Sequence, residues 1–223
     1  MKRWVSALCC NVLIASACSS SAEDLGGGGE TASGGSASGG SEEGGRGPGG
    51  ESATGGGTAA GGASADDRID PIALGHAWTY DVQELGAFPL CPSGSHTGET
   101  IDALTIDGKE AFEVTNLCAN VESSYYAVDG DVVQVDYQGT WILALDAPVE
   151  EGHTWSNGTS TFTWHDEGTV TVPAGTFDDC WRATQNVAYD AYTIFCRGVG
   201  PVHWHSEDLT GNGFDAVLTA KSF

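Results

Sequence analysis

The chain has 223 residues, with 31 acidic side chains against 8 basic ones and a formal net charge of −23. Such acidity repels nucleic acid and anionic membrane surfaces, which excludes both as partners held by charge. The 33 glycines and seven cysteines are unevenly placed, and their distribution divides the chain into a leader, a Gly-rich tract and one domain.

Lys2 and Arg3 open the chain, followed by the twelve-residue apolar run Trp4 to Ala15. A membrane-spanning helix needs about 20 apolar residues, so this length fits the core of a secretory signal instead. The run ends in Ala15-Ser16-Ala17-Cys18. That stretch resembles the lipobox of bacterial lipoproteins, with Ala15 where an aliphatic residue is usual and Ile14 one place earlier. The resemblance implies removal of residues 1–17 and acylation of Cys18 on its thiol and its new amino group. Several acyl chains on one residue make a stable anchor, where a single chain binds only marginally. Plain secretion with cleavage after Ala17 is the alternative. Cys18 standing at the cleavage point, ahead of a long tract, favours the lipoprotein. Ser19 rather than Asp follows the cysteine, which in Gram-negative lipoproteins resembles sorting to the outer membrane.

Residues 18–65 are expected to be the lipidated cysteine and a disordered tether. The 47 residues from Ser19 to Ala65 include 18 glycines and no aromatic side chain. They cannot bury enough apolar surface to offset their conformational entropy. A flexible Gly/Ser chain of this length has an end-to-end distance of roughly 35–40 Å. Its glycine runs lack the preceding strand and following Lys-Ser/Thr of a phosphate loop.

Residues 66–223 form a single domain with 25 acidic against five basic residues and six of the seven tryptophans. Alternation with period two recurs along it. Trp78, Tyr80 and Val82 share a face, then Phe112 and Val114, then Val133, Val135 and Tyr137. Trp141, Leu143 and Leu145 follow, then Phe162 and Trp164, then Val170 and Val172. Asp107-Gly108 and Asp129-Gly130 stand where two-residue hairpin turns belong. His165 to Glu167 beside Gly168 read as a further turn, and the segments 148–152 and 208–213 as longer loops. These signals predict an all-β antiparallel meander, curved or barrel-like, with a β-sandwich as the alternative. Gly-His-x-Trp occurs twice, at Gly75 to Trp78 and Gly152 to Trp155, a strand-start device or a trace of duplication.

Cys9 and Cys10 leave with the leader, so four cysteines remain for an exported domain: Cys91, Cys118, Cys180 and Cys196. Two disulfides are expected, with three possible pairings. A hairpin turning near Ala188 sets Cys180 opposite Cys196, and Cys91 with Cys118 follows by elimination. Neither C-x-x-C nor a Cys/His spacing typical of zinc modules occurs.

Candidate chemistry is sparse. His203 and His205 share one face of a strand and could turn two imidazoles toward a metal; two surface histidines flanking a buried Trp204 are the commoner outcome. Asp208, Thr210 and Asn212 with Gly213 resemble the D-x-[DN]-x-[DN]-G calcium loop. Thr replaces one ligand and no Glu closes the loop, so a turn is expected there. No G-x-S-x-G nucleophile elbow is present. The adjacent carboxylates Asp178-Asp179 and Glu150-Glu151 face opposite ways on a strand.

Gly75, Trp78 and Tyr80, then Gly152 and Trp155, then Val172 to Phe177 (V-P-A-G-T-F), then Gly198 and Gly200 together resemble uncharacterised bacterial lipoproteins and secreted proteins. That resemblance implies a β-rich extracytoplasmic domain and no named activity. The expectation is therefore a membrane-anchored cell-envelope lipoprotein, not an enzyme. It needs no cofactor, and its domain is structural or binds a protein or small molecule. A barrel carrying a small apolar ligand is the alternative, excluded if Trp78, Trp155, Trp164 and Trp181 fill the interior. A metal-dependent hydrolase on His203 and His205 ranks third.

Overall fold

The computed structural model describes residues 67–86, 91–118 and 123–223. The expected leader, Cys18 and the tether lie outside the described residues. Twelve strands run in chain order: β1 Ala77–Leu85, β2 Gly94–Ile106, β3 Lys109–Thr115, β4 Ser123–Asp129, β5 Val132–Tyr137 and β6 Thr140–Leu145. Then come β7 Thr154–Ser156, β8 Thr161–Val172, β9 Gly175–Gln185, β10 Asp190–Cys196, β11 Gly200–Glu207 and β12 Gly213–Lys221. All pair antiparallel in one sheet, ordered β6-β5-β4-β3-β2-β1-β12-β11-β10-β9-β8-β7. Two six-stranded meanders thus meet where β1 pairs β12, and the sheet curls so far that its outer strands, β6 and β7, approach each other.

That seam carries side-chain bonds in place of a ladder. The Trp155 indole N–H donates to Ala144 O at 3.1 Å, and that of Trp164 to Asp146 O at 2.9 Å. His153 Nε2 donates to Asp146 Oδ2 at 3.1 Å. The architecture is a nearly closed barrel, since a sandwich would leave these edges apart. Closure in this form hides edges that would otherwise template further strands.

Period-two alternation places most of the core as expected. Trp78, Tyr80 and Val82 point inward with Leu218, Ala216 and Phe214 of β12. Val133, Val135, Phe162 and Trp164 line the second packed cluster. In β6 the expected face is met in part: Leu145 is buried and Leu143 packs on the second cluster, but so do Ala144 and Ile142. The register between β5 and β6 shifts near Val133/Gln134, so Leu145 opposes Val133 while Ile142 opposes Val135. A bulge changes which side chains face the core. Trp141 is half-buried, with Lys109 Nζ 5.3 Å from its ring centre. The expected turn at His165 to Glu167 is also absent. Gly168 takes φ 64° inside an irregularity of the β8–β9 pairing, and β8 runs on to Val172. The β4–β5 turn falls one residue later than Asp129-Gly130, because Asp129 pairs with Val132. Asp131 is then free to accept from Ile69 N and from Arg197 Nη1.

Disulfides join Cys91 to Cys118 and Cys180 to Cys196. The second lies across the β9–β10 pair, with Cα atoms 4.0 Å apart. The repeated Gly-His-x-Trp proves to be one device used at the head of each meander. Gly75 N donates to Thr100 O and Thr100 N to His76 O; Gly152 N donates to Trp164 O and Trp164 N to His153 O. Both glycines have φ 80°, and both tryptophans are buried with the indole on a carbonyl, Val199 for Trp78 and Ala144 for Trp155.

Candidate functional site

Before β1, residues 67–72 cross one end of the barrel. Apolar Ile69 and Ile72 pull this segment into the interior, where both are buried among β5, β6 and β8 side chains. Arg68 O accepts from Gly198 N (2.8 Å), Ile69 N donates to Asp131 Oδ1 (2.8 Å), and Arg197 Nη1 donates to Asp67 O (2.9 Å). Arg197 also pairs with Asp131 and Asp179, at 2.9 Å each. The β4–β5 turn, the β10–β11 turn and β9 therefore hold this segment in place.

Between the two packed clusters a cavity of about 80 Å³ remains. Trp78, Tyr80, Tyr126, Phe195, Trp204 and Phe214 give it aromatic walls, and Ile72, Val114 and Leu117 aliphatic ones. Tryptophan does fill part of the barrel: Trp155 and Trp164 are buried and tilted together at 5.0 Å, and Trp181 packs on their cluster. Trp78, however, stands at the wall of open space, so the interior is solid at one side and hollow at the other.

Asp70 is the charged residue of the cavity wall. It sits in the crevice between Trp78 and the β10–β11 turn, where a Cβ added to Gly200 would lie 3.1 Å from Asp70 Oδ1 and 3.1 Å from Trp78 Nε1. Burial raises its pKa from 3.8 to about 7, against the lowering effect of the Arg68 charge. No hydrogen bond to the carboxylate contributes. Of the Arg68 guanidinium, Nη2 donates to Ile72 O at 2.8 Å. Burial and the Asp70 charge push both the Tyr80 and Tyr126 phenols up, so both stay neutral donors. Tyr80 Oη donates to Pro201 O at 2.7 Å. The buried Trp204 indole N–H faces the Tyr80 phenol and offsets part of that rise.

A raised carboxyl in the folded state has a defined effect on stability. The folded pKa is about 7 and the unfolded one near 3.8. Stability from this group is fully present below pH ~4 and declines as pH rises toward 7, because the unfolded chain releases the proton first. Asp70→Asn should therefore leave stability unchanged at pH 4 and raise it by roughly 2 kcal/mol at pH 8, about half the dry-site value. Urea melts at both pH values measure this. Equal curves at pH 8 would mean that the carboxylate is already compensated.

The residues singled out in the sequence lie elsewhere. His203 and His205 do share the outer face of β11, flanking Trp204, which turns inward to the cavity. His203 Nε2 donates to Asp215 Oδ1 at 2.5 Å, and His205 stacks on Tyr192 with ring centres 5.0 Å apart. Burial pushes Asp215 up, but the hydrogen bond and charge of His203, with the charge of His205, hold its carboxyl below the ordinary value. Asp208 is occupied within its own turn, accepting from Asn212 N and from the amide and hydroxyl of Thr210. The Asn212 amide above all, then those Thr210 bonds, bring it down to about 2. Among the described residues no group of three or more His, Cys, Asp or Glu side chains is placed to hold a metal ion. Asp70 escaped the sequence reading. Its only local signal is a charge set between Ile69 and Pro71-Ile72, and its burial depends on contacts more than a hundred residues away.

No protein-family model matches the chain, and no curated protein matches it. Among solved structures it is similar to a protein from Bacteroides fragilis described as exported, with a YmcC-like fold. The TM-score is 0.42 at 12% identity, over 69% of this chain and 98% of that one. A protein from Parabacteroides distasonis described as a lipoprotein is similar at a TM-score of 0.39 and 12% identity, over 69% of this chain and 98% of that one.

Proposed function

We propose that this chain is a cell-envelope lipoprotein, anchored in the outer membrane through acylated Cys18, whose barrel is a non-catalytic binding domain for a small, mainly apolar ligand. The cavity between the two packed clusters carries this reading: it is walled mainly by aromatic and aliphatic side chains and has few polar groups, the usual make-up of a small-molecule site. The signal-like leader and the Gly-rich tract support the anchor, since a tether separates a domain from the surface that holds it. With about 80 Å³ open, the site suits a compact molecule or one end of a longer one. For comparison, an engineered dry cavity of about 150 Å³ takes up benzene or xenon.

Xenon is a direct probe. Under xenon pressure the methyl signals of Ile72, Val114 and Leu117 should shift, while those of Val133 and Leu145 in the packed cluster stay still. Uniform or absent shifts would remove the binding reading. In cells, Cys18→Ala should abolish palmitate incorporation and release the protein from the membrane fraction. Unchanged fractionation would remove the anchor.

A further inference from the structure

Resting on the reading of the cavity as a binding site, we infer that its ligand is a small organic cation: an amine with a compact apolar body, its ammonium paired with Asp70 and its body held by the aromatic walls. Three independent observations converge on this chemistry.

The first is the carboxylate. A charge held partly out of water is costly unless paired and hydrogen-bonded; Asp70 is half-buried against the cavity, and no hydrogen bond stabilises its ionised form. Arg68, the cation nearest in charge, turns its guanidinium to the Ile72 carbonyl. Arg68 acts on Asp70 by its charge alone; a ligand ammonium adds the N–H donors that the carboxylate lacks. The second is the wall. Trp78, Tyr80, Tyr126, Trp204, Phe195 and Phe214 line it with six aromatic rings, and a ring face attracts a desolvated cation by about 2 kcal/mol. The third is the field. Residues 66–223 carry 25 acidic against five basic side chains, so cations concentrate at this domain and anions are repelled.

Binding of such a ligand needs Asp70 ionised. Arg68, Tyr80 and Tyr126 are the titratable groups interacting with it; burial keeps the two phenols neutral across the range used. Affinity should therefore rise with pH through neutrality and level off above pH 8.

The test uses the full chain in detergent and three isosteric probes that differ in charge: isobutylamine, isobutanol and isobutyrate. The indole N–H signals of Trp78 and Trp204 report occupancy. We expect the amine to bind at least tenfold tighter than the alcohol at pH 8, the advantage to shrink at least fivefold at pH 5.5, and isobutyrate not to bind. Asp70→Asn should bring the amine down to the alcohol. Equal binding of amine and alcohol, or an amine preference that survives in Asp70→Asn, overturns the cation while leaving the cavity as a site. Failure of all three probes to move either indole, together with absent xenon shifts, overturns the cavity itself. Should Asp70→Asn not fold, the pH profile of the wild-type chain decides alone, because a flat profile excludes a titrating carboxylate as partner.

Discussion

Gly213→Ala should destabilise the domain by about 4–5 kcal/mol, a size that single substitutions reach only through a defined steric or electrostatic fault. Gly213 opens β12 opposite Glu207 of β11. A Cβ there would come within 1.7 Å of the Ser206 carbonyl oxygen and 2.9 Å of the Glu207 Cα. Both are backbone atoms of the paired strand, so no rotamer change relieves the contact and the strands must separate. The damage would reach the cavity, since the next residue, Phe214, is buried in its wall. At about 2–4 °C per kcal/mol for a domain of this size, the melting temperature should fall by roughly 10–15 °C. Gly98→Ala is the matched control. Gly98 also lies in a strand, but its nearest obstacle is the Thr115 carbonyl oxygen at 3.3 Å, and a shift of a few tenths of an ångström accommodates it. Thermal melts of the two variants should differ by several degrees or more; coincident melts would show that the β11–β12 turn yields freely.

Trp164→Ala should cost about 3–5 kcal/mol, the range for removing a large buried aromatic. Trp164 is fully buried, tilted against Trp155 at 5.0 Å and edge-on to Phe195 at 5.9 Å. It also spans the seam, because its indole N–H is bonded to Asp146 O in the segment between β6 and β7. Trp164→Phe separates the two contributions. It keeps most of the apolar contact and strands the carbonyl, so a loss of about 1–2 kcal/mol is expected. Denaturant unfolding read by near-ultraviolet circular dichroism gives both values. Equal losses would place the stability in the seam bond, and a loss under about 1 kcal/mol for Trp164→Ala would mean that the seam is not structurally needed.

The β-class and much of the core were legible because a strand encodes its buried face locally. Side chains two apart point the same way, so Trp78, Tyr80 and Val82 could be placed without knowing what they pack against. The Cys180–Cys196 hairpin was legible for the same reason: its register follows from a turn at the midpoint of a short loop. The face of β6 was legible only in part. A bulge changes which residues point inward, and nothing in "TWILAL" marks it, because its cause is the fit of β6 onto β5. Gly168 was misread as a turn since the residue that permits a turn also permits a bulge.

The candidate site was hidden for a deeper reason. His203, His205 and Asp208 carry visible chemistry, but the fold sets the two histidines beside Asp215 and Tyr192 on the outer face of the sheet and turns the third group's bonds onto its own loop. Asp70 carries one unremarked carboxylate. It matters because Tyr80, Tyr126, Phe195 and Trp204 are brought round it from four different strands.

By itself the sequence determined the period of the strands and the four cysteines available to residues 66–223, both set by residues near one another along the chain. Only the tertiary structure decided that the sheet curls until β6 approaches β7, that tryptophan fills one side of the interior and not the other, and that the Asp70 carboxylate stands at the cavity wall. Burial and vacancy are sums over residues distant in sequence, and no local pattern records them.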